Sequence, residues 1–508
     1  MRPFESSSRF VGRGFRKWLL LALLFPFSHA GAQTLYVDDD ARAACPCGNP
    51  AKNDPACGGP EKPFSCIRDA VAAQVPFDTI VVRDGTYHEC VGVNQGGASE
   101  TQRRTIEAEN VHGALISCTS KEYVALYIHA SYLTVRGFRV TGGSTGIYID
   151  GAKPDHHDAG TGVVVEDAEV FGNSTGVLVQ KACAGTRLSR LDIHHNTPHD
   201  GLKIDTAYPG RITDTIVEDS HVHHNRNQGI GEGNAEHTII RNCEVDNNGT
   251  DGQTHGFYMK GFEGLIQSNK VHDNSGYGIH LWAAPRGTAA RHYIVENNDA
   301  YANGSGGIVL GGNPGEAAPA PPLPPGDGLP HYVEIRNNRL HDNRSAGFVY
   351  YGSRCDDSAN DNSFHDNTVY DNGAIALLIS SLHNDAAATR LTLKDNVFLG
   401  RPYTDGAVLA LLINTSLDPG TLDGNTFYVP GASPSTPGLF RWLCNGCRTP
   451  PATEIRYSFD QFRDPGVRRA MMRRPEPSCG SPVTFELDER SKWADPGIVV
   501  PGPPAAPR

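Results

Sequence analysis

Residues 270–283, KVHDNSGYGIHLWA, hold one complete instance of a pattern that recurs along the chain. An apolar residue, Val271, precedes the polar triplet His272-Asp273-Asn274, and a short turn leads into Gly278-Ile279-His280-Leu281-Trp282, which alternates with period two. The glycine half returns as TGIYIDG at 145, TGVLVQK at 175, DGLKIDT at 200, QGIGEGN at 228, HGFYMKG at 255, GGIVLGG at 306 and AGFVYYG at 346. The triplet half returns as DIHHN at 192, HVHHN at 221, EVDNN at 244, RLHDN at 339 and TVYDN at 368. Each half reads as a short strand. A repeat every 23 to 30 residues, lengthened only where loops intrude, is the mark of a solenoid. Strands rich in Val, Ile and Tyr, with Gly and Asn at the corners and no long helical run between them, point to an all-β chain wound as a single-stranded parallel β-helix. Counting the less regular copies gives about ten or eleven coils, a column on the order of 50 Å long at about 4.8 Å per coil.

Outside the repeat, Arg13, Arg16 and Lys17 precede the apolar run WLLLALLFPF, and Ala30-Gly31-Ala32 offers a cleavage site. Residues 1–32 are therefore expected to be a secretory signal peptide, with the remainder secreted to the periplasm or cell exterior. No later segment reaches the roughly 18 apolar residues of a membrane span. Twelve cysteines suit an oxidising compartment, and their crowding near both ends predicts disulfides there. CNGC at 444–447 lacks the second ligand pair that a zinc site needs. A formal net charge of −12 disfavours nucleic acid as a partner. The expected organisation is a Cys-rich cap with the first coils at 33–122, the repeat domain at 123–431, and a Pro, Arg and Cys-rich appendage at 432–508 with a disordered end. The proline-rich stretch 313–330 should leave the column as a loop, and RRAMMRR at 468–474 reads as a solvated face or packing strap.

With these repeats, and with an opening of the form LYVDDD…KPFSCIRDAVAAQVPFDTIVVRDGTYHE, the chain resembles the right-handed parallel β-helix proteins of the pectate-lyase-like class. The resemblance covers most of the chain from the expected cleavage site to about residue 430, and implies that IRDAVAAQ is a short capping helix. It is specific for the fold and leaves activity to the site residues.

In such a column equivalent residues stack, so a residue type present in every coil serves the stack. Asn196, Asn225, Asn248, Asn274, Asn303, Asn343 and Asn372 are of this kind, and should bond neighbouring turns. The pairs His194-His195 and His223-His224 occupy places taken by Asp, Asn or Tyr in other coils, which favours a structural role for them too. Departures from the pattern are more informative. Alternation sends the second and fourth residues after each glycine outward, giving Tyr148/Asp150, Leu178/Gln180, Lys203/Asp205, Gly231/Gly233, Tyr258/Lys260, His280/Trp282, Val309/Gly311 and Val349/Tyr351. A dent one coil wide is predicted over Gly231 and Gly233, walled by charge and aromatic rings. His199, Asp205, Tyr258, His280, Trp282 and Tyr351 are the expected sugar-binding residues, and an acidic polysaccharide met by a monomer is the expected partner. The entering turns add Asp200, Asp251 and His255, and the glycines of GIGEGN are expected to turn Glu232 out into the dent.

The resemblance implies polysaccharide chemistry. Lyases of this fold use a strand-face lysine or arginine as base, and Lys203 is the position that resembles it, with Lys260 as a second cation and His255 and Glu232 as further catalytic candidates. A calcium ion would draw on Asp200, Asp205 and Asp251, though the dense acidic cluster of calcium-dependent pectate lyases is missing. A hydrolase would pair Asp205 or Asp200 with Glu232. A C5-epimerase shares the proton abstraction, and PHDG at 198–201 resembles the alginate-epimerase motif. A non-catalytic adhesin or glycan-binding scaffold is the alternative outside enzymes.

Overall fold

The computed structural model describes residues 33–41, 45–48, 53–73, 78–151, 160–205, 211–283, 291–312, 330–352, 362–373, 375–381, 387–389, 391–402, 408–413, 415–417, 422–443, 454–464 and 491–493. The expected signal peptide at 1–32, the proline-rich stretch 313–329, Cys444, Cys447, Cys479 and the run 468–474 lie outside the described residues. The strands form three sheets of fourteen strands each, parallel throughout except for the last pair of sheet 3, with two short extra ladders. A representative coil passes through Val164–Glu166 in sheet 1, Glu169–Phe171 in sheet 2 and Thr175–Gln180 in sheet 3, then returns to sheet 1 at Arg187–Ser189. The column is thus longer than the ten or eleven coils expected, about 60 Å at 4.8 Å per step. The added strands, such as Thr34–Val37 and Phe440–Leu443, lack the asparagine triplet and the aligned glycine by which the regular coils are counted.

Alternate residues of every strand point inward, and Ile147, Val177, Leu202, Ile230, Phe257, Ile279, Ile308 and Phe348 form one such inner column in sheet 3, each shielded from solvent. The corners explain the polar triplet. Its middle residue takes a left-handed backbone, as at His195, His224, Asn247, Asp273 and Asp342, with φ between 52° and 53°. Asn and Asp tolerate this region best among non-glycine residues. Its last residue is the buried asparagine, whose carbonyl accepts the backbone N–H of the equivalent asparagine one coil before: Asn196 to Asn225 at 3.1 Å, Asn225 to Asn248 at 3.1 Å, and so on to Asn343 and Asn372. The predicted ladder is present, extended by Asn173 at its start. A second ladder, Asn269, Asn298, Asn338, Asn367, Asn396 and Asn425, runs along the corner between sheets 1 and 2 with the same bonds at 2.9 to 3.0 Å.

Both ends are covered. Helix α1, Ile67–Val71, falls within the predicted cap, and the Glu89 carboxylate accepts its first two amide protons, from Ile67 at 2.7 Å and Arg68 at 3.1 Å. Disulfides Cys45–Cys57 and Cys90–Cys118 tie this end. At the other end, Phe440–Leu443 pairs antiparallel with Glu454–Tyr457, and helix α2, Phe459–Arg463, begins with a Ser458/Gln461 capping box and packs Phe459 and Phe462 against Phe440. Among the described residues no helix is long and apolar enough to cross a membrane.

Candidate functional site

Sheet 3 presents the outward residues in the register that the glycine alignment predicts. Leu178, Lys203, Gly231, Tyr258, His280 and Val309 are successive partners in one file, and Asp205 faces Gly233 while Trp282, Gly311 and Tyr351 face one another in the next. A strand without outward side chains therefore lies between Lys203/Asp205 on one side and Tyr258/Lys260 on the other.

The trough is partly floored by carboxylates. A Cβ on Gly231 would stand 3.3 Å from Asp200 Oδ2, and one on Gly233 would stand 2.7 Å from Asp205 Oδ1. Asp200 is buried and accepts from Asn227 Nδ2 at 2.7 Å and the Gln228 amide at 3.1 Å. Burial raises its pKa above the usual carboxylate value, with Lys203 and these donors opposing. Asp205 pairs with Lys203 at 3.6 Å, and His199 is exposed at the entrance beside Asp200. Lys260 lies over the Tyr258 ring, 4.1 Å from its centre.

The next coils form an aromatic wall. His255, Tyr258, Tyr277, His280 and Trp282 contact one another ring to ring, and the Tyr277 and Tyr351 hydroxyls meet at 3.3 Å. Gly311 lets Trp282 and Tyr351 close over it, since a Cβ there would meet Trp282 Cζ3 at 3.2 Å and Tyr351 Cβ at 3.0 Å. The Tyr277 backbone N–H donates to His255 Nδ1 at 3.1 Å, which places the proton of the neutral ring on Nε2. That proton is donated to His280 Nδ1 at 2.8 Å, so His280 carries its own on Nε2, a buried atom that meets no hydrogen-bond partner among the described residues. Burial keeps both rings neutral, lowering His255 to about 4 and His280 well below the usual histidine value.

One expectation is corrected. Glu232 does not enter the trough: it follows strict alternation, in register with the core residue Ile204, and is buried among Tyr293, Thr238 and the Gly261 amide. The glycines on either side leave the strand regular, so no bulge turns it outward. Its carboxyl is pushed up to about 7 by burial. The three aspartates of the expected calcium set are each engaged separately: Asp200 by Asn227 and Gln228, Asp205 by Lys203, and Asp251 in its own turn through the Gln253 amide at 2.9 Å.

Sequence reasoning missed a second polar group on this face. Asp150, almost wholly shielded, accepts from the Tyr127 and Tyr148 hydroxyls and from Lys181 Nζ at 2.6 Å, with His129 beside it. The outward position of Tyr148/Asp150 was its available signal; Lys181 lies just beyond the strand pattern.

Comparison with known proteins places this geometry in context. The family described as "Right handed beta helix region" matches residues 124–298 and 253–398. The chain is similar to the uncharacterized protein YwoF of Bacillus subtilis (strain 168), with 27% identity over 304 residues, 52% of this chain and 63% of YwoF. The match thus spans less than two thirds of that relative. Among solved structures, the GH136 lacto-N-biosidase from Eubacterium ramulus superposes with a TM-score of 0.51 at 13% identity, covering 72% of this chain and 67% of that one. The pectate lyase Pel9A gives a TM-score of 0.39 at 16% identity over 63% of this chain and 78% of its own. These likenesses are of fold.

Proposed function

Because the two matches together span residues 124–398, more than half of the 508, the chain belongs to the right-handed β-helix family, and on that premise we propose that it is a secreted protein acting on acidic polysaccharide along sheet 3. The reaction we infer is β-elimination at a uronate residue seated over Gly231 and Gly233. One observation carries this reading: the register leaves a strand bare of side chains between Lys203/Asp205 and Tyr258/Lys260. A ring can lie against Tyr258 there, with the Lys260 ammonium on one side to meet its carboxylate and Lys203 on the other.

In that reaction Lys203 takes the proton from C5, the electron pair moves into the C4–C5 bond, and the C4–O4 bond breaks, with O4 then taking a proton from water. Lys260 balances the charge that gathers on the carboxylate in the enolate-like transition state. His280, with its Nε2 proton next to Trp282, supports the aromatic side of the subsite. The two disulfides support secretion.

The test is ultraviolet absorbance of the unsaturated uronate product on pectate, alginate, glucuronan and glycosaminoglycans, with and without calcium. Absorbance on one polymer, reduced about a hundredfold or more in Lys203→Ala, is expected. No absorbance, with no change in chain length or epimer content, would leave a glycan-binding or structural β-helix. A hydrolytic reading has one observation of its own: Asp200 and Asp205 overhang glycines two residues apart, about 7 Å along the strand, and burial raises the pKa of Asp200. New reducing ends without absorbance, lost in Asp200→Asn, would select it.

A further inference from the structure

The outer face of sheet 2 carries a dense group of imidazoles. His194, His195, His221, His223 and His224, five of the chain's 21 histidines, stand on two consecutive coils. Register pairs Asp192 with His221 and His194 with His223, then His221 with Glu244 and His223 with Asp246.

Much of this face is accounted for by stacking. Phe171, His194 and His223 form one pile, and His272, Tyr301, His341 and Tyr370 another, with ring centres 4.6 to 5.4 Å apart. Stacking alone leaves His221 unexplained, because it lies two residues from His223 on one strand, where side chains ordinarily stand about 7 Å apart. Here the two rings lean together to 4.0 Å. One ligand atom from each of Asp192, His221 and His223 lies within 4.8 Å of the others. His223 Nε2 faces Asp192 Oδ1 at 2.9 Å, and His221 Nε2 faces Asp246 Oδ1 at 2.5 Å. His224 Nδ1 contacts His223 Nδ1 at 2.8 Å and holds that ring from behind.

We propose that Asp192, His221 and His223 form a binding site for a divalent transition-metal ion of the zinc class, with Asp246 held against His221. Two imidazoles and a carboxylate suit zinc, whereas calcium and magnesium prefer oxygen alone. Ligand atoms on a zinc ion stand about 3.3 Å apart, so side-chain torsions on a fixed sheet bring these groups to the metal. His223, 17% exposed, makes the floor; His221 and Asp192, 43% and 46% exposed, leave the side by which the ion enters. The site is on a different sheet from the trough and stands apart from the glycan reading.

The experiment is calorimetric titration of the full chain with Zn²⁺, with Co²⁺ absorption as a probe of coordination. One saturable site and a nitrogen-and-oxygen cobalt spectrum are expected. Affinity should fall tenfold or more in His223→Ala and in Asp192→Asn, the latter keeping the side chain's shape, while His341→Ala in the neighbouring stack keeps it. Equal zinc uptake by wild type and both site variants would overturn the proposal, as would an equal loss in His341→Ala. Thermal unfolding of each variant separates loss of the site from loss of the fold.

Discussion

Glu232 shows what one carboxyl does when the pleat commits it to the interior. Its pKa of about 7, against 4.5 in an unstructured chain, means that the folded state holds a proton that the unfolded state releases between those values. Stability from this group is full below pH 4.5 and is lost as pH rises to 7, by up to roughly 3 kcal/mol. Glu232→Gln, which imitates the protonated form, should therefore stabilise the protein at pH 8 and leave it unchanged at pH 4. Urea unfolding at both values checks this, and an equal effect at each would show that charge is not the cause. His255 works in the opposite sense. Its pKa of about 4, against 6.5, makes the folded state the poorer proton binder, so stability grows as pH rises from 4 to 6.5. Its contribution opposes that of Glu232 across most of this interval, and the Gln variant should reveal a rise that the wild type conceals.

Among the elements, the asparagine corner is the most demanding. Asn274 accepts from the Asn248 amide and from Asn248 Nδ2, and donates to Val245 O, His272 O and Asn303 Oδ1, all at 2.9 to 3.1 Å. Asn274→Ala leaves these buried groups unpaired and should cost roughly 3 kcal/mol or more. Asn274→Asp should cost at least as much despite its matching shape, because an oxygen then faces three carbonyl oxygens; denaturant midpoints for the pair measure the difference. The first ladder was legible because its asparagine closes a recognisable triplet. The second is less legible, although Asn298, Asn338 and Asn367 precede their strands just as regularly, because its asparagines close no recognisable triplet. Sheet 3 register followed from the aligned glycines, since period-two alternation leaves no freedom once one residue is placed. The direction of Glu232 did not follow: glycines permit a bulge without requiring one, and only packing against Tyr293 decides. Nor did the engagement of Asp200 and Asp251, whose partners come from turns that carry no period.

For the whole molecule, covalent support is uneven among the described residues. Both described disulfides lie in the first coils, whereas Cys183 and Cys243 are buried and unpaired in the middle. A reductant should therefore speed hydrogen exchange in Thr79–Val82 and leave Leu265–Gln267 protected; uniform loss along the column would show that the coils unfold as one unit. The corner ladders have a historical consequence as well. Each asparagine bonds to the same atoms of an identical neighbour, so the bond does not record which coil comes next. A gene duplication that copies one coil, or a deletion that removes one, joins matching corners, and length can drift among descendants without repair elsewhere. The coils from Lys203 to Tyr258 are the exception, because there the order of neighbours is what makes the trough.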